Sequence, residues 1–78
     1  MSDLEERIKA AEAGAESKQA TEELAEERFR AVHAMAEARG NAKDALESKE
    51  FHSWMATRRE TDAAWGEWAM LMDAKQGA

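Results

Sequence analysis

Apolar residues recur along the first half of the chain at alternating steps of three and four positions. This heptad spacing is typical of a helix that packs one face against another helix. The line is Leu4, Ile8, Ala11, Ala15, Lys18, Glu22, Ala25, Phe29, Val32 and Ala36. A similar line in the second half is Phe51, Trp54, Arg58, Thr61, Trp65, Trp68 and Met72. Both lines turn polar in the middle, and no alternating stretch indicates a β-strand.

The strongest break between the two lines lies near the middle of the chain. Gly40 suits the left-handed conformation that ends many helices, and Asn41 is able to cap the helix that follows. We therefore predict an all-α fold of two long helices, about 3–38 and 42–75, joined by a turn at 39–41. Helices of nearly equal length around a short turn form an antiparallel hairpin.

We expect this hairpin to be a single domain that covers residues 1–78, because a chain of this length holds at most one. Thr57 and Glu60, in capping-box spacing, offer a second break inside the second helix. No glycine or proline accompanies them, so we favour a continuous helix.

Folding the chain at Gly40 brings complementary residues together without any further choice of partners. Two pairs of opposite charge and one aromatic pair meet: Lys18 with Asp62, Glu22 with Arg58, and Phe29 with Phe51. Ala15 then faces Trp65, so that a small side chain lies opposite a large one, as close packing of two helices requires. We expect the charge pairs to set the register, because slipping one helix by a turn would bury unpaired charge.

The apolar arc of each helix is wider than one partner helix covers. Nine residues are therefore candidates for a dimer or partner interface: Trp54, Met55, Trp65, Trp68, Leu71, Met72, Leu24, Phe29 and Met35. A second copy on this flank would give a homodimeric four-helix bundle. Tryptophan and methionine are also enriched in the cores of interfaces between different proteins. A homodimer interface and a contact with a different protein are compatible uses of these residues.

The composition favours association. The chain has 78 residues, of which 18 are alanine, and only 15 larger apolar residues remain besides Met1. A core of this size seldom stabilises a domain by more than a few kcal/mol. There is no cysteine, so neither a disulfide nor a thiolate metal site is available as a supplement.

The charge balance argues against several partners. The 17 acidic and 11 basic residues give a net charge of −6, and direct nucleic-acid binding needs a basic stripe. An acidic chain is also repelled by anionic lipids, and no apolar run has the length of a membrane span. We expect a cytoplasmic protein without a membrane partner. The densest acidic zone is formed by Glu16, Glu22, Glu23, Glu26 and Glu27.

No residue set in the sequence indicates catalysis, a cofactor or a metal. His33 and His52 are the only histidines, and neither completes the Glu-x-x-His motif of helical di-iron proteins. His33 and Glu37 lie one turn apart, but two ligands make a weak site. The chain also lacks a Gly-x-Ser-x-Gly elbow and a glycine-rich phosphate loop. We expect that it is not an enzyme.

These observations favour a small helical protein–protein interaction module, a dimer that binds and modulates or inhibits a larger protein. In size and composition the chain resembles accessory proteins encoded by bacterial viruses and plasmids, including inhibitors of host defence. That resemblance rests on no motif and implies no residue roles. The alternatives are a structural, assembly or oligomerisation element, and an acidic mimic of nucleic acid.

Overall fold

Two long helices pack against each other in the computed structural model, which describes residues 3–77. Helix α1 spans Asp3–Ala38 and helix α2 spans Lys49–Gly77, with a short 3₁₀-helix over Ala42–Glu47. The 36 residues of α1 rise about 54 Å. The molecule is accordingly a rod of 58 × 17 × 14 Å. The predicted all-α hairpin is confirmed, whereas the dimeric bundle stays a prediction.

The end of α1 is closed by the glycine that the sequence singled out. Gly40 adopts φ +80°, and it is the one described residue with a positive φ. Its N–H donates to the Glu37 carbonyl at 2.9 Å, and the Asn41 N–H donates to the Ala36 carbonyl at 2.9 Å. This pair of bonds is a Schellman motif, which satisfies carbonyls that the helix end leaves free.

The second α-helix starts later than predicted. Residues 42–47 form the 3₁₀-helix, and α2 begins at Lys49 rather than at residue 42. Asn41 makes no capping bond to the backbone; its Nδ2 donates to Asp44 Oδ2 at 2.9 Å.

The residue that caps α2 is Ser48, which has an extended backbone. Its Oγ accepts the Phe51 N–H at 3.1 Å, and its hydroxyl donates to the Ala45 carbonyl at 2.6 Å. The break lets Ala45 become completely buried while Phe51 turns toward Phe29. Tertiary packing at the end of the rod thus overrides the helical preference of this alanine-containing segment.

Beyond this start, α2 is one uninterrupted helix. It passes Thr57 without a break and ends at Gly77, two residues beyond the predicted end. Gly66 lies inside it, and a Cβ at this glycine would meet nothing within 4 Å. The glycine is therefore not a point where the two helices approach closely.

We call the contact between the two helices the seam. On α1 it follows the predicted line of heptad positions. The buried residues of α1 are Ile8, Ala15, Ala25 and Ala36, all of them on that line. In α2 the line needs a correction at Arg58, which is exposed. The seam runs instead through half-buried Thr57 and buried Thr61.

The threonine positions have a clear physical reason. The Thr57 hydroxyl donates to the Trp54 carbonyl at 2.8 Å, and the Thr61 hydroxyl donates to the Thr57 carbonyl at 3.0 Å. A hydroxyl satisfied by its own helix is inexpensive to bury, whereas a guanidinium without a partner is not.

The ion pairs differ from those expected at the middle of the hairpin. Lys18 Nζ lies 3.7 Å from Glu60 Oε1 instead of pairing with Asp62. No ion pair within 4.0 Å joins Glu22 and Arg58. Glu60 lies about 200° around α2 from Asp62, so Lys18 pairs with a carboxylate on the other side of that helix. The proposed role of these charges in setting register stays a prediction.

We expect substitutions at two glycines to have opposite effects. Gly40→Ala should lower the free energy of unfolding by about 1–2 kcal/mol, because alanine is strained at positive φ. Gly66→Ala should raise it by up to about 1 kcal/mol, because alanine is the better helix former and the added methyl has open space. Urea denaturation followed by circular dichroism measures both. A destabilised Gly66→Ala would contradict the open surroundings of that residue.

A second prediction tests the corrected start of α2. Ser48→Ala should lower the free energy of unfolding by about 1 kcal/mol, because the Phe51 N–H would lose its acceptor. Ser53→Ala is the matched control. Ser53 is exposed within α2, so its loss should leave stability unchanged or slightly raised. Equal thermal and urea midpoints for the two variants would show that Ser48 is not the cap.

Candidate protein-interaction surface

Three aromatic rings form a cluster near the turn. Phe29 of α1 stacks on Trp54 of α2 with ring centroids 5.1 Å apart and planes tilted by 25°. Phe51 lies 5.3 Å from Phe29, as predicted from the fold point, and 6.4 Å from Trp54. Such pairs add about 0.5–1.5 kcal/mol each beyond their buried area. This turn cluster, formed by Phe29, Phe51 and Trp54, ties the start of α2 to α1.

Two tryptophans form a second cluster near the opposite end of the rod. Trp65 and Trp68 meet edge to face, with centroids 5.5 Å apart and planes at 89°. The Trp65 Nε1–H donates to Gln19 Oε1 at 3.2 Å. Leu71 and Met72 are half-buried, like the two tryptophans. We call Trp65, Trp68, Leu71 and Met72 the tryptophan surface.

Two of the three indoles are incompletely satisfied. The Nε1 atoms of Trp54 and Trp68 are buried, and neither has a hydrogen-bond acceptor. Leaving a buried donor unpaired costs about 1–3 kcal/mol. A phenylalanine would supply an apolar ring at either position without that cost. In the isolated hairpin, the unpaired N–H groups therefore offset part of the stabilisation that the larger indole rings contribute.

The nine predicted interface residues do not form one continuous patch. Phe29 and Trp54 meet in the turn cluster, and Trp65 and Trp68 meet in the tryptophan surface. Leu24 and Met35 stand apart on α1, where 56% and 63% of their areas are exposed. Their helical positions place them on the side of α1 that faces away from α2. Met55, Leu71 and Met72 are half-buried along α2.

Sequence reasoning missed three residues at or near these surfaces. Leu46 in the 3₁₀-helix and Met70 on α2 are 52% and 74% exposed. Gln19, the acceptor for Trp65, gave no signal, because glutamine at an exposed helical position is ordinary. Its contact depends on the way the helices pair.

The hairpin has an open cleft of about 420 Å³ between its helices. It lies over the buried Ala25 and is lined by Arg28, Lys49, Glu50 and Ser53. Charges of both signs therefore surround it, with one carboxylate among these residues.

Between residues 3 and 77, no group of three or more histidine, aspartate or glutamate side chains is placed to hold a metal ion. The pair considered from the sequence, His33 and Glu37, lies with Nδ1 and Oε2 3.8 Å apart. Glu26 of the acidic zone forms an ion pair with Arg30. Within the same range, neither long helix has an apolar stretch of the length and hydropathy needed to cross a bilayer.

The fold and its surfaces define a helical hairpin whose aromatic residues are only partly covered. No protein-family model, curated protein or solved structure matches the chain. Any functional assignment therefore depends on the geometry of the hairpin itself.

Proposed function

We propose that the protein is a non-enzymatic helical interaction module that self-associates and acts by binding a larger protein. The tryptophan surface is the contact region for that larger protein. Binding there would modulate or inhibit the partner by occupying part of its surface, as an amphipathic helix does when it lies in an apolar groove.

One observation supports this proposal above the others. In the described part of the chain no large side chain is completely buried; the completely or almost completely buried residues are Ala15, Ala36 and Ala45. Proteins that function as isolated monomers enclose their largest apolar side chains, because burial of such a side chain stabilises by about 1.5–3 kcal/mol. Between residues 3 and 77, Ile8 is the one large apolar side chain that is buried, with 8% of its area exposed, and the others would gain the full stabilisation only on association.

The chemistry of the tryptophan surface agrees with a binding role. Tryptophan is the residue type most enriched among interface hot spots, where a large ring is enclosed by the partner. Trp68 keeps an unpaired indole N–H in the isolated hairpin. A partner that shifts this side chain slightly and presents a carbonyl or carboxylate would satisfy it. Binding would then gain a hydrogen bond as well as buried area.

A structural or assembly role is the second candidate. Leu24 on α1 and Met70 on α2 are both largely exposed, so large apolar residues occur on both helices outside the seam. A hairpin with exposed apolar side chains on both helices would be suited to packing among many copies. Such a protein would form large, concentration-dependent species instead of a small closed oligomer.

We expect Trp68→Ala to weaken partner binding by about 2 kcal/mol, or about 30-fold in Kd, if Trp68 is a hot spot. The test is affinity capture from extracts of the cells in which the protein occurs, followed by titration of the captured protein. Met70→Ala is the matched control, because it removes a more exposed apolar side chain outside the tryptophan surface. Circular dichroism verifies that each variant remains helical. Equal capture by wild type and Trp68→Ala would contradict the assignment of this surface.

A further inference from the structure

The hairpin has two long margins, where the seam between α1 and α2 meets the solvent. One contact between the helices identifies each of them. The Trp65 indole donates to Gln19 on one margin, and Lys18 lies 3.7 Å from Glu60 on the other. Because Gln19 and Lys18 point about 100° apart around α1, the spacing of the other charged residues assigns each of them to a margin.

Five exposed carboxylates follow the margin that Trp65 and Gln19 mark. They lie within about 80° of these two residues around their helices, and none forms an ion pair within 4.0 Å in the described part of the chain. The residues are Glu12, Glu16, Glu23, Asp62 and Asp73. The nearest cations on this side are Lys9 and Arg58, so carboxylates outnumber cations by five to two. We call the five carboxylates the acidic margin.

The opposite margin has a different charge. Arg7 and Arg28 of α1 lie on the same side of the helix as Lys18, with Asp3 near the helix start. Carboxylates that only kept the chain in solution would be mixed with cations over the whole surface. Their concentration on one margin therefore distinguishes that margin from an ordinary solvated face.

The acidic margin borders the tryptophan surface through Trp65. This side chain is half-buried, and its ring reaches from α2 to α1, because the indole N–H contacts Gln19. Opposite charges attract a cationic ligand to such a place, and the face of a tryptophan ring binds cations better than that of any other side chain. An acidic or neutral partner would gain only the apolar area.

We propose that the larger protein contributes a basic amphipathic helix to this margin. Its apolar residues would contact Trp65, and its lysine or arginine side chains would lie beside the carboxylates. This inference rests on the proposed function and specifies the chemistry of the partner. A helix placed where α1 and α2 meet would contact both of them by ordinary helix packing and would complete the burial of the ring.

A second copy of the hairpin is less suited to the same margin. A twofold contact sets equal margins against each other, so the carboxylates of one copy would meet those of the other. A contact between the acidic margin and the opposite margin of another copy would satisfy the charges. It would also repeat from copy to copy and produce filaments, which the experiments below would detect.

A designed peptide serves as the probe, with affinity measured by isothermal titration calorimetry on the full chain. The peptide has about 14 residues, with leucine at helical spacing and lysine elsewhere. One companion peptide replaces every lysine by glutamate, and another replaces every leucine by glutamine. The leucine–lysine peptide should bind at least about tenfold more tightly than either companion, because the margin offers both charge and an aromatic ring. Added salt should weaken this binding.

Charge reversal on the protein locates the contact. Asp62→Lys and Glu16→Lys should each raise the Kd for the leucine–lysine peptide about five- to tenfold, because an attraction becomes a repulsion. Glu47→Lys is the matched control. It changes the net charge equally at an exposed position of the 3₁₀-helix, away from Trp65, and should change the Kd less than about twofold. Circular dichroism verifies that each variant remains helical.

Three outcomes would overturn the proposal. The first is an equal Kd for Asp62→Lys and Glu47→Lys. The second is a companion peptide that binds as tightly as the leucine–lysine peptide, which would show a contact through charge alone or apolar area alone. The third is a second copy on the margin: in light scattering, the wild-type mass would grow with concentration and Asp62→Lys would return it to the 8.7 kDa of one chain.

The same variants separate this inference from the proposed function. Partner capture that depends on Trp68 but not on Asp62 would leave the function standing and remove the basic helix. Peptide binding that depends on Asp62, without any captured protein that depends on Trp68, would remove the function and leave the chemistry of the margin standing.

Discussion

Two helices enclose small side chains between them but leave the edges of large ones open, and this constraint governs the whole molecule. Ala15, Ala25 and Ala36 occupy the buried positions along α1, and small residues let helix axes approach closely. The rings of Phe29, Trp65 and their neighbours then lie along the margins of the seam, where only one side is covered. A third element is needed to complete their burial, and residues 3–77 do not supply one.

The polar middle of the seam is compatible with this arrangement because it does not depend on charge pairs. Thr57 and Thr61 satisfy their hydroxyl groups within α2. The Lys18–Glu60 pair is exposed, and such pairs typically contribute under about 1 kcal/mol. The aromatic contacts in the turn cluster and the match of small and large layers therefore carry most of the helix pairing. That the charges exclude other registers of the two helices stays a prediction.

Local chemistry made part of this structure predictable. The limits of α1 and the turn at Gly40 follow from helix preference and from the one glycine that ends the helix. The start of α2 did not follow, because Ser48 has phenylalanine where a capping box has Glu or Gln. Only contact with α1 selects that serine. The same holds for the site: spacing places Trp65 beside Trp68, but their exposure depends on what α1 leaves uncovered.

The two candidate functions require different symmetries of association. A contact between identical faces closes at two copies, whereas a contact between different faces repeats and generates filaments. On the exposed side of α2, Met70 is accompanied by the exposed charges of Arg59, Glu60 and Glu67, so packing many copies against this side would bury charged groups. A hairpin that closes at two copies and leaves the tryptophan surface uncovered meets the requirement of an interaction module, whereas contacts between unlike faces would build a scaffold of many copies.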